Sequence, residues 1–165
     1  MLTSMATIGD AVAAGKLVVF TVPDWETRLP IRPLWVTPEL LQWADNTPDL
    51  HDLRLGVGGR TMFEHLEQFL CDFRCSKQLH AGDLKRMLPN KKGVWKMHPF
   101  GLRIYGWAPA AHQFAAVTWA RVEDTKADKS LNDAKRDEVL EFVRANGLLR
   151  TIMYGDINAV FPRST

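Results

Sequence analysis

Lys96, His98, Arg103 and Tyr105 fall within "GVWKMHPFGLRIYGW", residues 93–107, where apolar and polar residues alternate around a Pro-Phe-Gly break. Side chains alternate across a strand. A hairpin here therefore turns Trp95 and Met97 to one side and Lys96 and His98 to the other. On the return strand Leu102 and Ile104 part in the same way from Arg103 and Tyr105. If the apolar sets face a core together, the four polar side chains gather on the opposite face. That set suits chemistry at a phosphodiester without a metal. One group must take the proton of a ribose 2′-hydroxyl and another must protonate the leaving 5′-oxygen. Cations must stabilise charge on the transition state. His98 can serve as acid or base, because its ordinary pKa lies near neutrality. Arg103 suits bidentate phosphate contact and Lys96 supplies a point charge. Tyr105 can stack on a base or orient the 2′-hydroxyl. The plainer reading is the solvated side of a two-layer sheet.

The surrounding charge favours an anionic partner. The chain carries a net charge of only +2, yet residues 74–104 hold eight basic residues and one acid. That window is net +7, which leaves −5 for the rest, and Lys85, Arg86, Lys91 and Lys92 extend the basic surface before the hairpin. At 165 residues the chain is expected to form a single domain with one sizeable core. Its longest apolar runs are too short to span a bilayer, and its start lacks the basic segment of a secretory signal. Together with two cysteines, Cys71 and Cys75, this leads to an expectation of a cytoplasmic protein without a membrane partner. Those cysteines sit four apart, with His65 and His80 nearby in sequence. They read as buried or half-buried thiols, so no metal and no cofactor is expected.

The elements that must position these residues follow from local signals. Residues 4–14 predict a short helix ended by Gly15, and "KLVVFTV" predicts a strand. Prolines 30 and 33 make "DWETRLPIRPLWV", residues 24–36, an extended connector. Thr37 and Pro38 start a helix that runs to about Asn46. Gly56, Gly58 and Gly59 suggest a flexible loop. Thr61 and Glu64 form a capping box ahead of an apolar stripe of Phe63, Leu66, Phe69, Leu70 and Phe73. A basic loop, the hairpin and a third strand, "HQFAAVTWARV", come next. A polar loop, "EDTKADKS", leads to a last helix whose apolar positions are Leu131, Ala134, Val139, Phe142 and Val143, with Gly147 beyond its end. The tail from residue 148 is too apolar to hang free. The expected fold is α+β: an antiparallel sheet of about four strands with helices packed on one face. Residues 1–60 form an N-terminal extension and connector, 61–147 the core, and 148–165 the tail.

The order of strand, two helices, three antiparallel strands and final helix resembles the RelE/HigB/ParE toxin superfamily, most of all its phage-derived, HigB-like branch. The stretches carrying the resemblance are "LKRMLPNKKGVWKMHPFGLRIYGW" and "FAAVTWARVEDTKADKSLNDAKRDEVLEFV". They cover roughly 60 residues, and the first 80 are poorly matched. The resemblance implies a metal-independent endoribonuclease that cleaves mRNA, usually on the ribosome, and that pairs with an antitoxin. It further implies Lys96 and His98 as the strand-borne basic pair, Arg103 as the second-strand Arg, Arg121 at the end of the third strand, and Lys126 and Lys129 in the loop beyond.

Enzymes of this kind often carry a Tyr or His near the last helix, and residues 121–147 contain neither. ParE-like members poison a protein target instead. An alternative is therefore a non-catalytic, phage- or plasmid-derived protein on the same fold that inhibits a host protein. Trp25, Trp35 and Trp43, in the part the resemblance leaves unexplained, would anchor such a partner. A third possibility is nucleic-acid binding without chemistry, recognisable by steep salt dependence.

Overall fold

A computed structural model describes residues 5–21, 31–75, 78–80 and 82–162. Trp25 and Lys77 lie outside the described residues, as does Pro23, the expected end of the first strand.

The chain builds a six-stranded sheet in the order β1-β2-β6-β5-β4-β3. Its strands are β1 (Val18–Val19), β2 (Leu34–Val36), β3 (Leu84–Arg86), β4 (Val94–Met97), β5 (Leu102–Trp107) and β6 (Phe114–Arg121). All neighbours are antiparallel except β2 and β6, which run parallel. The architecture is α+β as expected, but with six strands rather than about four and with one parallel pair.

Two differences explain the extra strands. Leu34–Val36, expected as connector, sits inside the sheet with Leu34 and Val36 fully buried. Pro33 precedes the strand, and its carbonyl accepts from Phe114 N, so the missing proline N–H costs no ladder bond. Leu84–Arg86, expected as part of a basic loop, is an edge strand paired with β4. Its charged residues suit an edge, where they discourage pairing with another chain.

Helices cover both faces, not one. On the first face, α2 (Pro38–Asn46) and α3 (Met62–Arg74) close a core of Leu40, Leu66, Leu70 and Phe73 against Leu34, Trp95, Met97, Ile104 and Phe114. On the second, α1 (Ile8–Ala13) and α5 (Leu131–Ala145) pack Ala11, Val139 and Val143 against Val94, Tyr105, Trp107 and Val117. The second cluster exists because the polar alternation runs out along the strands. Lys96 and His98 share their side of β4 with Val94, and Arg103 shares its side of β5 with Trp107. An apolar half-face must be covered.

The capping signals hold. Thr37 Oγ1 accepts from Leu40 N, and the Thr61–Glu64 box is formed in both directions. Gly15 and Gly147 both take positive φ past their helices. Between α2 and α3, where a flexible loop was expected, Pro48–His51 and Leu53–Leu55 form 3-10 turns. "EDTKADKS" is mostly a further helix, α4 (Val122–Ala127), rather than loop. The tail folds back through α6 (Ile157–Val160) and buries Ile152, Val160 and Phe161. No helix among the described residues is long and apolar enough to cross a membrane.

Candidate functional site

Strand register places the polar residues. Lys85 pairs with Lys96, Lys96 with Tyr105, and Tyr105 with Thr118, so these four lie in one row across four strands. Directly paired residues point the same way. Arg103 and His98 occupy the next position along that face, towards the β4–β5 turn. His98 N donates to Asp83 O at 2.8 Å, which ties this end of the hairpin to the segment entering β3.

The result is a group of four basic side chains: Lys85, exposed on the edge strand, and Lys96, His98 and Arg103, half-buried. Among the described residues none of them forms a salt bridge. Arg103 donates Nη1 to the Leu102 carbonyl at 2.7 Å. Desolvation, then Arg103, Lys96 and Lys85 in that order, push the His98 pKa down to about 4. The imidazole is therefore neutral at pH 7, and its Nε2 is buried with no hydrogen-bond partner among the described residues. Desolvation first, then Arg103 and Lys85, also lower the Lys96 pKa. Burial lowers that of Arg103, against the opposing pull of Tyr105. Arg103 and Lys85 make both Lys96 and His98 less willing to hold a proton, and a bound anion would relieve that repulsion.

Tyr105 belongs to the same row but is fully buried. Its hydroxyl donates to Asn132 Oδ1 at 2.6 Å, and burial pushes its pKa up to about 12. Covered by the start of α5, it has no free face on which to stack a base. Asn132, which sequence reasoning did not single out, holds it there. Thr118, next in the row, donates to Glu138 Oε2 at 2.6 Å, and Lys135 Nζ lies 3.3 Å from the Thr118 hydroxyl.

The remaining expected residues scatter. Arg121 pairs with Leu102, on the opposite face from Arg103, and its guanidinium is engaged by Asp49 and Glu123, each at 2.8 Å. Arg86 follows Lys85 in the strand and so points to the other face, where Nη1 donates to Gly155 O at 2.7 Å. Lys91 and Lys92 sit in the turn before Gly93, at the far end of β4 from His98. Lys126, near the end of α4, and Lys129, just past it, are exposed. Tyr154 lies beside Gly93 rather than beside His98.

Of the tryptophans considered as partner anchors, Trp43 stacks on Trp119 with centroids 5.0 Å apart, and Trp35 packs into the second core cluster. Cys75 is buried and Cys71 half-buried. Among the described residues no cluster of His, Cys, Asp and Glu has the make-up of a metal site.

No family model matches the chain, and neither curated proteins nor solved structures provide a match.

Proposed function

We propose that the chain is a metal-independent endoribonuclease of RelE/HigB type, cleaving mRNA in association with the ribosome and held in check by an antitoxin. The observation that supports this reading best is the convergence of Lys85, Lys96, His98 and Arg103 on one face, with no acid paired to them among the described residues. Arg103 and Lys96 hold the scissile phosphate, and Lys85 takes a neighbouring one. The neutral His98 imidazole accepts the proton of the 2′-hydroxyl. The 2′-oxygen attacks phosphorus, the bond to the 5′-oxygen breaks, and that oxygen leaves with a proton from the imidazolium or from Lys96. The products are a 2′,3′-cyclic phosphate and a 5′-hydroxyl. At a pKa of about 4 the imidazole is a weak base. Phosphate charge opposes the three cations and raises its proton affinity, so substrate itself tunes the group.

The test is cleavage of translating mRNA in a chelator-treated lysate, with mapped ends. Ribosome-associated cuts that disappear in His98→Gln and Arg103→Gln are expected. A folded protein that leaves mRNA intact sinks the proposal.

A second reading has its own support. The His98 Nε2 is shut away from solvent, and Tyr105 is committed to Asn132. Both features suit a surface that binds an acidic host protein or RNA without cleaving it. Capture of a stable partner that depends on Arg103, with no cleavage product, would select it.

A further inference from the structure

Lys91 and Lys92, at the far end of β4 from His98, line an open groove of about 470 Å³ between α5 and the tail. One wall is two turns of α5, where Asp137, Leu140, Glu141 and Arg144 follow one another at helical spacing on a single face. The other wall is the turn carrying the two lysines, joined by Leu149, Ile152 and Tyr154 of the tail. Leu149 is 52% and Tyr154 55% exposed. Leu88, 72% exposed, sits at one end, where its carbonyl accepts from Arg136 Nη1 at 2.9 Å, one turn before Leu140.

Apolar side chains exposed singly are ordinary, but these gather along one groove, and a gathered apolar surface marks a binding site. Tyr154 is fixed in position, since a Cβ at Gly93 would stand only 3.1 Å from its Cε1 and the ring therefore rests on the lysine turn. The charges along the groove are unequally met. Asp137 is held by Arg136 at 3.1 Å, and Glu141 is held by Arg144. Lys91 and Lys92 form no salt bridge among the described residues. The uncompensated charge is thus positive and lies on the wall away from α5.

We infer that this groove docks an acidic amphipathic helix of another protein. The helix lies along α5, its apolar side chains meet Leu140, Leu149 and Tyr154, and its carboxylates reach Lys91 and Lys92. Nucleic acid suits the groove less, because two cations beside a mostly apolar wall, with two carboxylates opposite, give a phosphate chain little to follow. A second copy of this chain suits it less too, because it would bring the same two unpaired lysines into the contact. The site is independent of the basic group around His98.

The full-length ¹⁵N-labelled protein is titrated with a synthetic amphipathic helix of about 18 residues, leucine on one face and glutamate elsewhere. The same peptide with lysine in place of glutamate, and a single-stranded RNA, are titrated beside it. Saturable movement of the Leu149 and Tyr154 amide signals with the glutamate peptide alone is expected. Lys91→Glu combined with Lys92→Glu should weaken that binding about tenfold or more by calorimetry. Leu149→Asp, at an exposed position, should abolish it while the rest of the spectrum stays in place. The inference is overturned if the glutamate peptide moves no groove signal, if it moves those of His98 and Arg103 instead, or if the lysine peptide or RNA moves the groove signals equally. Binding that survives both variants overturns it as well, as do dimers of the protein alone that Leu149→Asp separates in sedimentation.

Discussion

Lowering the pH from 7 towards 4 will destabilise the fold through His98. In the unfolded chain this imidazole titrates near 6.5, and in the folded protein at about 4. Between those values the unfolded state takes up a proton that the native state refuses, so stability falls as pH falls. The contribution is intact above pH 6.5, is lost progressively down to about 4, and is flat below. At ~1.36 kcal/mol for each tenfold change in proton affinity the whole displacement corresponds to about 3.4 kcal/mol. His98 is half-buried, and solvent screening reduces this to an expected 1–2 kcal/mol, approximately. Four carboxylates, Asp10, Asp52, Asp128 and Glu141, have pKa values held below their ordinary range and also cost stability in acid, but at lower pH. Comparison with His98→Gln removes their effect. Urea unfolding of both proteins at several pH values between 7 and 4 reads the difference, and the His98 ring signals in NMR give its pKa directly. Parallel stability curves, or a ring that titrates between 6 and 7, would refute the argument that burial and three cations hold this group neutral. Phosphate in the buffer should move the ring pKa upward.

Other perturbations test the fold and the site separately. Gly106→Ala would set a Cβ 1.9 Å from the Ala115 carbonyl oxygen at the β5–β6 bulge. It should cost about 3 kcal/mol, a fall in Tm of roughly 6–12 °C by calorimetry at this chain length. Thr37→Ala removes both the α2 cap and the bond to Val117 O at 3.0 Å, and should lose about 1–2 kcal/mol in chemical denaturation. Arg103→Gln should lower affinity for single-stranded RNA and flatten its logarithmic salt dependence by about 0.7, whereas Arg121→Ala, whose charge is already met by Asp49 and Glu123, should leave that slope in place. Tyr105→Phe should cost about 1 kcal/mol by freeing Asn132 Oδ1, and loss of RNA binding without loss of stability would contradict the burial of that ring.

Much of the local structure was legible because its causes are local. A Thr before Pro-Glu, a Thr three residues before a Glu, and a Gly just after an apolar helical stripe satisfy backbone groups within one turn. The hairpin of Val94–Met97 and Leu102–Trp107 was legible from period-two alternation, and its observed pairing, Lys96 with Tyr105, puts the polar residues on one side. Leu34–Val36 and Leu84–Arg86 were missed as strands, since three residues beside prolines or lysines carry too little periodic signal.

Which of the aligned polar residues remain available was a tertiary decision. Lys96, His98, Arg103 and Tyr105 look equivalent in the alternation of "GVWKMHPFGLRIYGW", but α5 arrives from about thirty residues later in the chain and seals Tyr105. It does so because Val94, Trp107 and Val117 make half of that face apolar, and apolar area must leave water. Lys85 reached the group only through sheet pairing, while Arg86 and Arg121 were turned away by strand parity. The sequence by itself therefore determined the residue types and their alternation. The packing of distant segments decided which cations face each other with no salt bridge among the described residues, and burial first, then that repulsion, holds His98 neutral.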